Sequence, residues 1–161
     1  MSTAPVPDLP PTLAAIREDF LALSVADRLQ LLLEFAGGLP PMPERLANRP
    51  ELLEPVPECQ SPIAFVTELE TDETDDGAAV RVRFYASAPP GAPTSRGFAG
   101  ILAEGIDGLS VEQVEAVPGD YPLTLGLAEA VSPLRLRGMT ALLARTKRQV
   151  AERAAARTRA T

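Results

Sequence analysis

Histidine is absent from this chain of 161 residues, cysteine and lysine occur once each (Cys59 and Lys147), and no apolar run reaches membrane-spanning length. Each absence closes a class of chemistry. Without imidazole there is no Ser-His-Asp or Cys-His nucleophile pair, no HExxH metal site and no histidine general base. One cysteine and no histidine leave no zinc or iron-sulfur ligand set, so no metal is expected within the chain. Lys147 has neither a GxxxxGK[ST] loop nor a GxGxxG fingerprint beside it, which argues against nucleotide cofactors of those types. It is also a poor candidate for a Schiff base, and no cofactor is expected. Without a run of about 18 apolar residues a membrane span is not expected. A lone cysteine cannot close an intramolecular disulfide, so the fold needs no oxidising compartment. The cytoplasm is the default location.

What is present fits one globular domain over residues 1–161, being 45% hydrophobic and 23% charged. Residues 1–11 are Pro-rich, lack basic residues and a signal-like apolar stretch, and read as a frayed lead-in. Net charge is -7 but unevenly spread: from Arg135 onward eight basic residues and one acid give +7, which leaves -14 on the preceding 134 residues. The basic tail suits either docking to an acidic partner or a solvated helix face whose arginines favour the C-terminal end of the helix dipole. Nucleic acid is not expected, because the rest of the chain would repel phosphate.

Apolar spacing at Leu13, Ile16, Phe20 and Leu23 predicts a helix over residues 12–23. Ser24 with Asp27 opens a second helix, carrying Leu29, Leu32, Leu33 and Ala36 and closed by Gly37 and Gly38, residues suited to a left-handed cap. These form an N-terminal helical hairpin. Prolines at 40, 41, 43, 50, 55 and 57 exclude regular structure from residues 39–57, apart from a short edge strand over 52–56. Alternation over 63–70 and 79–85 reads as a β-hairpin around an acidic connection, residues 71–77. Phe98, Ile101 and Leu102 mark a helix ending near Gly105, Ser110 with Gln113 caps a short one, and residues 123–127 are ambiguous. Ser132-Pro133 starts a long C-terminal helix with Leu136, Met139, Leu143 and Val150 on its apolar stripe. The fold class is α+β: a small antiparallel sheet of two or three strands packed with helices.

Cys59 lies in Pro57-Glu58-Cys59-Gln60-Ser61-Pro62. Lone cysteines are commonly small buried hydrophobes. Flanking prolines and polar neighbours favour instead a loop near the surface that holds the sulfur in a defined place. Reactivity requires the thiolate, and Glu58 opposes it. Arg96, Arg135 and Arg137, with the amides of Gln60 and Ser61, are the candidates for favouring it.

Four segments in order carry a family resemblance. Leu31-Leu32-Leu33-Glu34-Phe35 with Leu39-Pro40, Val56-Pro57-Glu58-Cys59-Gln60-Ser61, Arg96-Gly97-Phe98 with Ile101-Leu102, and Gly126-Leu127 with Ser132-Pro133-Leu134-Arg135 and Gly138 together resemble the SufE family over about residues 13–150. Glu58 stands where the family has glycine before the cysteine. Ile63-Ala64-Phe65 stands where tryptophan is common, and residues 87–93 replace a Ser-Asp-Ala segment. The resemblance implies an accessory sulfur-transfer protein rather than an enzyme. Cys59 would accept persulfide sulfur from a PLP-dependent cysteine desulfurase, stimulate it, and deliver sulfur to a downstream iron-sulfur scaffold. Arg135 first, then Arg96, with Gln60 and Ser61, would support the cysteine. Two other readings stay open: a thiol redox sensor, weakened by the lack of a resolving cysteine, and a partner-binding module that uses Arg145 and Arg148 with Cys59 incidental.

Overall fold

The computed structural model describes residues 9–72 and 79–160. Pro11 is not part of a frayed lead-in: it occupies the first turn of helix α1 (Pro11–Leu21), where its missing N–H has no intrahelical acceptor to lose. Helix α2 (Val25–Gly37) begins as its Ser24 cap requires, with the Ser24 hydroxyl accepting from the Asp27 amide at 3.3 Å. Its exit differs from expectation. Gly38 has φ -92°, so the helix ends without a left-handed residue, and Leu33 faces solvent. The proline-rich stretch then holds a short α3 (Glu44–Ala47) and a 3₁₀ turn, Pro50–Leu52.

Three strands make one antiparallel sheet in the order β1 (Glu54–Pro55), β2 (Ala64–Asp72), β3 (Ala79–Ser87). Most of the acidic connection expected over residues 71–77 lies outside the described residues. Alternation decides the faces. Phe65, Thr67 and Leu69 lie opposite Ala86, Phe84 and Val82, which puts them on one side with the Phe65 and Phe84 rings stacked at 6.2 Å. Helices α4 (Pro93–Ile106) and α6 (Pro133–Arg159) cover that side. Thr67 is fully buried, and its hydroxyl and amide both donate to Gln149 Oε1 on α6 at 2.8 Å, so no polar atom is stranded there.

Helix α2 lies along α4 on the far side of the core, and α1 packs on α4 as well. Between α4 and α6 the chain forms α5 (Val111–Glu115), opened by the full Ser110–Gln113 capping box, and the 3₁₀ turn Tyr121–Thr124, which takes in only the start of the ambiguous segment; residues 125–127 are irregular. Tyr121 is buried and donates its hydroxyl to Leu13 O at 2.7 Å. Ser132 and Pro133 start α6 as cap and first residue. Lys147 is half-buried, and its ammonium donates to Val117 O at 2.5 Å. No helix among the described residues is long and apolar enough to cross a membrane. The chain is thus α+β, with an N-terminal helical pair, a three-stranded sheet and a long C-terminal helix.

Candidate functional site

The route from β1 into β2 is a tight hairpin. Glu54 and Pro55 pair with Phe65 and Ala64, and the Val56 amide extends the ladder to Ile63 O at 2.9 Å. The intervening residues, closed by so few ladder bonds, wind into a 3₁₀ turn, Pro57–Cys59. Within it the Cys59 amide donates to Val56 O and the Gln60 amide to Pro57 O, each at 3.1 Å. Gln60 then reverses the chain with φ 55° and ψ 13°, the one described non-glycine residue with positive φ. A left-handed residue bearing a Cβ costs roughly 1–2 kcal/mol, so contacts elsewhere must hold this tip. It carries the chain's one thiol.

Those contacts bury the sulfur, contrary to the expectation of a cysteine near the surface. Cys59 is 6% exposed and belongs to the continuous core. Prolines and polar neighbours do make the irregular turn, but the first half of α6, arriving nearly 80 residues later, closes over it. The approach depends on Gly138. A Cβ there would stand 3.0 Å from Cys59 Cα and 3.1 Å from its Sγ, tighter than ordinary contact. The thiol S–H points at Gly138 O, 3.5 Å away.

Electrostatics agree with a protonated resting thiol. Burial pushes the Cys59 pKa up, the nearby Ser95 hydroxyl opposes it, Glu58 adds to the rise, and the charges of Arg135 and Arg145 oppose it. Glu58 is not loose beside the sulfur. Arg145 on α6 grips it with two hydrogen bonds, Nε to Oε2 at 3.0 Å and Nη2 to Oε1 at 2.9 Å, which hold the carboxyl below its usual range. The same guanidinium donates through Nη1 to Glu54 Oε2 at 2.8 Å. Arg148 also pairs with Glu54. Arg145 and Arg148 thus hold acids of their own chain, which weighs against a basic helix kept free for docking.

Beside the turn a cavity of about 280 Å³ is lined by Cys59, Gln60, Ser61, Ser132, Leu134 and Arg135. Arg135, Gln60 and Ser61 therefore sit around the cysteine. Arg96 is engaged elsewhere: Nε donates to Ala36 O at 3.0 Å and Nη1 to Ala88 O at 2.6 Å, tying the end of α2 to the strand exit. Gln60's amide is also spent within the turn. Ser95 was not singled out from the sequence. It adjoins Arg96 in the first turn of α4, but no local pattern brings that turn to Cys59. Arg145 stood out only as part of a basic tail, and its pairing with Glu58 spans 87 residues. No cluster of metal-ligating side chains occurs among the described residues.

Comparison with known proteins gives consistent relatives. A family model described as "SufE: Fe-S metabolism associated domain" matches residues 14–150. Two Mycobacterium tuberculosis proteins, from strains CDC 1551 / Oshkosh and ATCC 25618 / H37Rv, are each named an uncharacterized SufE-like protein. Each is 50% identical over 150 residues, covering 93% of this chain and 98% of its own length. A solution structure of a hypothetical protein from Thermus thermophilus matches with a TM-score of 0.73 at 38% identity, over 92% of this chain and 99% of that one.

Proposed function

The chain belongs to the SufE family of Fe-S metabolism associated domains, and from that premise we propose that Cys59 accepts sulfur from a PLP-dependent cysteine desulfurase. The observation that carries this reading is a lone thiol at the tip of a strained hairpin, closed over by helix α6 and bordered by a polar cavity. Such a tip is a short lever. Buried, its thiol is protonated and shielded from oxidants. Swung out, it loses the desolvation that raises its pKa and becomes a competent nucleophile.

In the transfer step the Cys59 thiolate attacks the outer sulfur of a persulfide on the desulfurase. A Cys59–sulfur bond forms, the desulfurase sulfur–sulfur bond breaks, and the desulfurase cysteine leaves as its thiolate. The persulfide proton stays on the transferred sulfur. No external oxidant or reductant is needed. Ser95 can donate to the Cys59 thiolate and Arg135 supplies positive charge at the cavity. The chain acts as one accessory sulfur-transfer unit over residues 1–161, in the cytoplasm, passing sulfur to a downstream iron-sulfur scaffold. Desulfurase turnover tests the reading. The parent chain should accelerate cysteine consumption and Cys59→Ser should not; equal stimulation by both would overturn the acceptor role.

A further inference from the structure

We infer that Arg145 is a positioning residue for this transfer: through Glu58 it latches the Cys59 turn against α6, and the sulfur is presented when that ion pair opens. The inference rests on reading Cys59 as the sulfur acceptor, and it concerns a carboxylate where the family has glycine. The anchoring is uneven along the hairpin. At its base, Glu54 meets Arg145 at 2.8 Å, Gln149 Nε2 at 3.1 Å, and Arg148. At its tip, Glu58 meets Arg145 alone of these three. Releasing Glu58 therefore frees the tip while Arg145 stays on Glu54 and the base stays paired with β2.

Apart from the burial of Cys59 itself, the remaining polar holds on the tip are weak. The thiol–carbonyl contact to Gly138, at 3.5 Å, is weak because a thiol is a poor donor. Gln60's left-handed backbone is relieved by any rearrangement of the turn. Water reaches the latch, since the Arg145 and Glu58 side chains are 29% and 32% exposed. Such a pair opens readily. The groups facing the sulfur are Glu58 on its own turn, Arg135, Arg145 and the Gly138 carbonyl from α6, and Ser95 from α4. The latch thus has two effects that can be measured apart. It restricts access to the sulfur, and it offsets the adjacent carboxylate.

The rate of Cys59 alkylation by iodoacetamide against pH, in the full chain, separates the two. The plateau above the thiol pKa reports access, and the midpoint reports ionisation. Glu58→Gln and Arg145→Gln should both raise the plateau about fivefold, the population change a water-accessible ion pair allows, with Arg145→Lys in between. The midpoint should fall in Glu58→Gln, which loses the carboxylate, and rise in Arg145→Gln, which leaves it uncompensated. General loosening of the fold would move both midpoints the same way. Unchanged plateaus, or midpoints moving together, overturn the latch. Should a variant not fold, the unaltered chain carries the test: its plateau must rise with salt, and a flat response overturns the inference. Alkylation needs no desulfurase, so the latch and sulfur acceptance fail independently.

Discussion

The contact between α2 and α4 and the contact between the Cys59 turn and α6 both rely on glycine to bring backbone close, yet they are built for opposite purposes. In the first, Gly97 and Gly100 let α4 meet the backbone of Leu32 and Phe35, with fully buried Leu32, Phe98 and Ile101 around them. Arg96 adds bonds to the Ala36 and Ala88 carbonyls. In the second, Gly138 admits the turn and the small Cys59 side chain joins the core, but the directed ties are an S–H contact and ion pairs that water reaches. Apolar contact makes a scaffold that does not yield. Polar contact at the tip makes a part that can be released without unfolding the rest.

The largest expected effect breaks the scaffold side. Leu32→Ala should lower unfolding free energy by about 3 kcal/mol in urea titration, with no selective rise in Cys59 alkylation under native conditions. Gly138→Ala should do the reverse. An alanine gains about 1 kcal/mol of helix propensity, which offsets the clash with a turn able to move aside. Stability should therefore change by less than about 1 kcal/mol while alkylation of Cys59 rises several-fold. A loss as large as that of Leu32→Ala would mean that the turn is as rigid as the scaffold.

Both the expectations that held and those that failed follow from the distance over which each contact acts. Ser24, Ser110 and Ser132 cap their helices because a cap involves residues three apart. Strand alternation placed Val82 and Phe84 inside for the same reason. Gly37 and Gly38 were suited to a left-handed cap, but glycine permits that conformation without requiring it. Burial of Cys59, the bond to Gly138 and the Arg145 latch join residues 79 to 91 apart, which no local pattern encodes. Gly138 was visible beforehand only through the family resemblance; Arg135 and Arg96 were candidates as arginines near helix starts and the resemblance ranked them, yet Arg96's bonds serve the scaffold.

Smaller effects come from pH. Burial raises the Cys59 pKa, so the native state favours the protonated thiol. That contribution is complete below the ordinary thiol value of about 8.5 and is lost as pH rises through the higher folded value. Cys59→Ala should flatten the decline of Tm with alkaline pH, leaving the part due to Tyr121, whose pKa burial also raises. At the acid end Arg145 lowers the Glu58 pKa, and for Glu54 the bonds to Arg145, Gln149 and Arg148 together outweigh burial. Their contribution is present above the ordinary carboxylate value of about 4.3 and is lost as pH falls through the folded values. Arg145→Gln should make Tm less sensitive to acid over that window. An unchanged acid limb would remove the ion pairs from the account of the turn.

Sulfur acceptance itself is tested most directly by intact mass. The chain is incubated with a PLP-dependent cysteine desulfurase and free cysteine, then weighed before and after reduction. A gain of one sulfur, removed by reductant and mapped to Cys59, is the result expected of the acceptor. An unmodified Cys59 while the desulfurase consumes cysteine would contradict it.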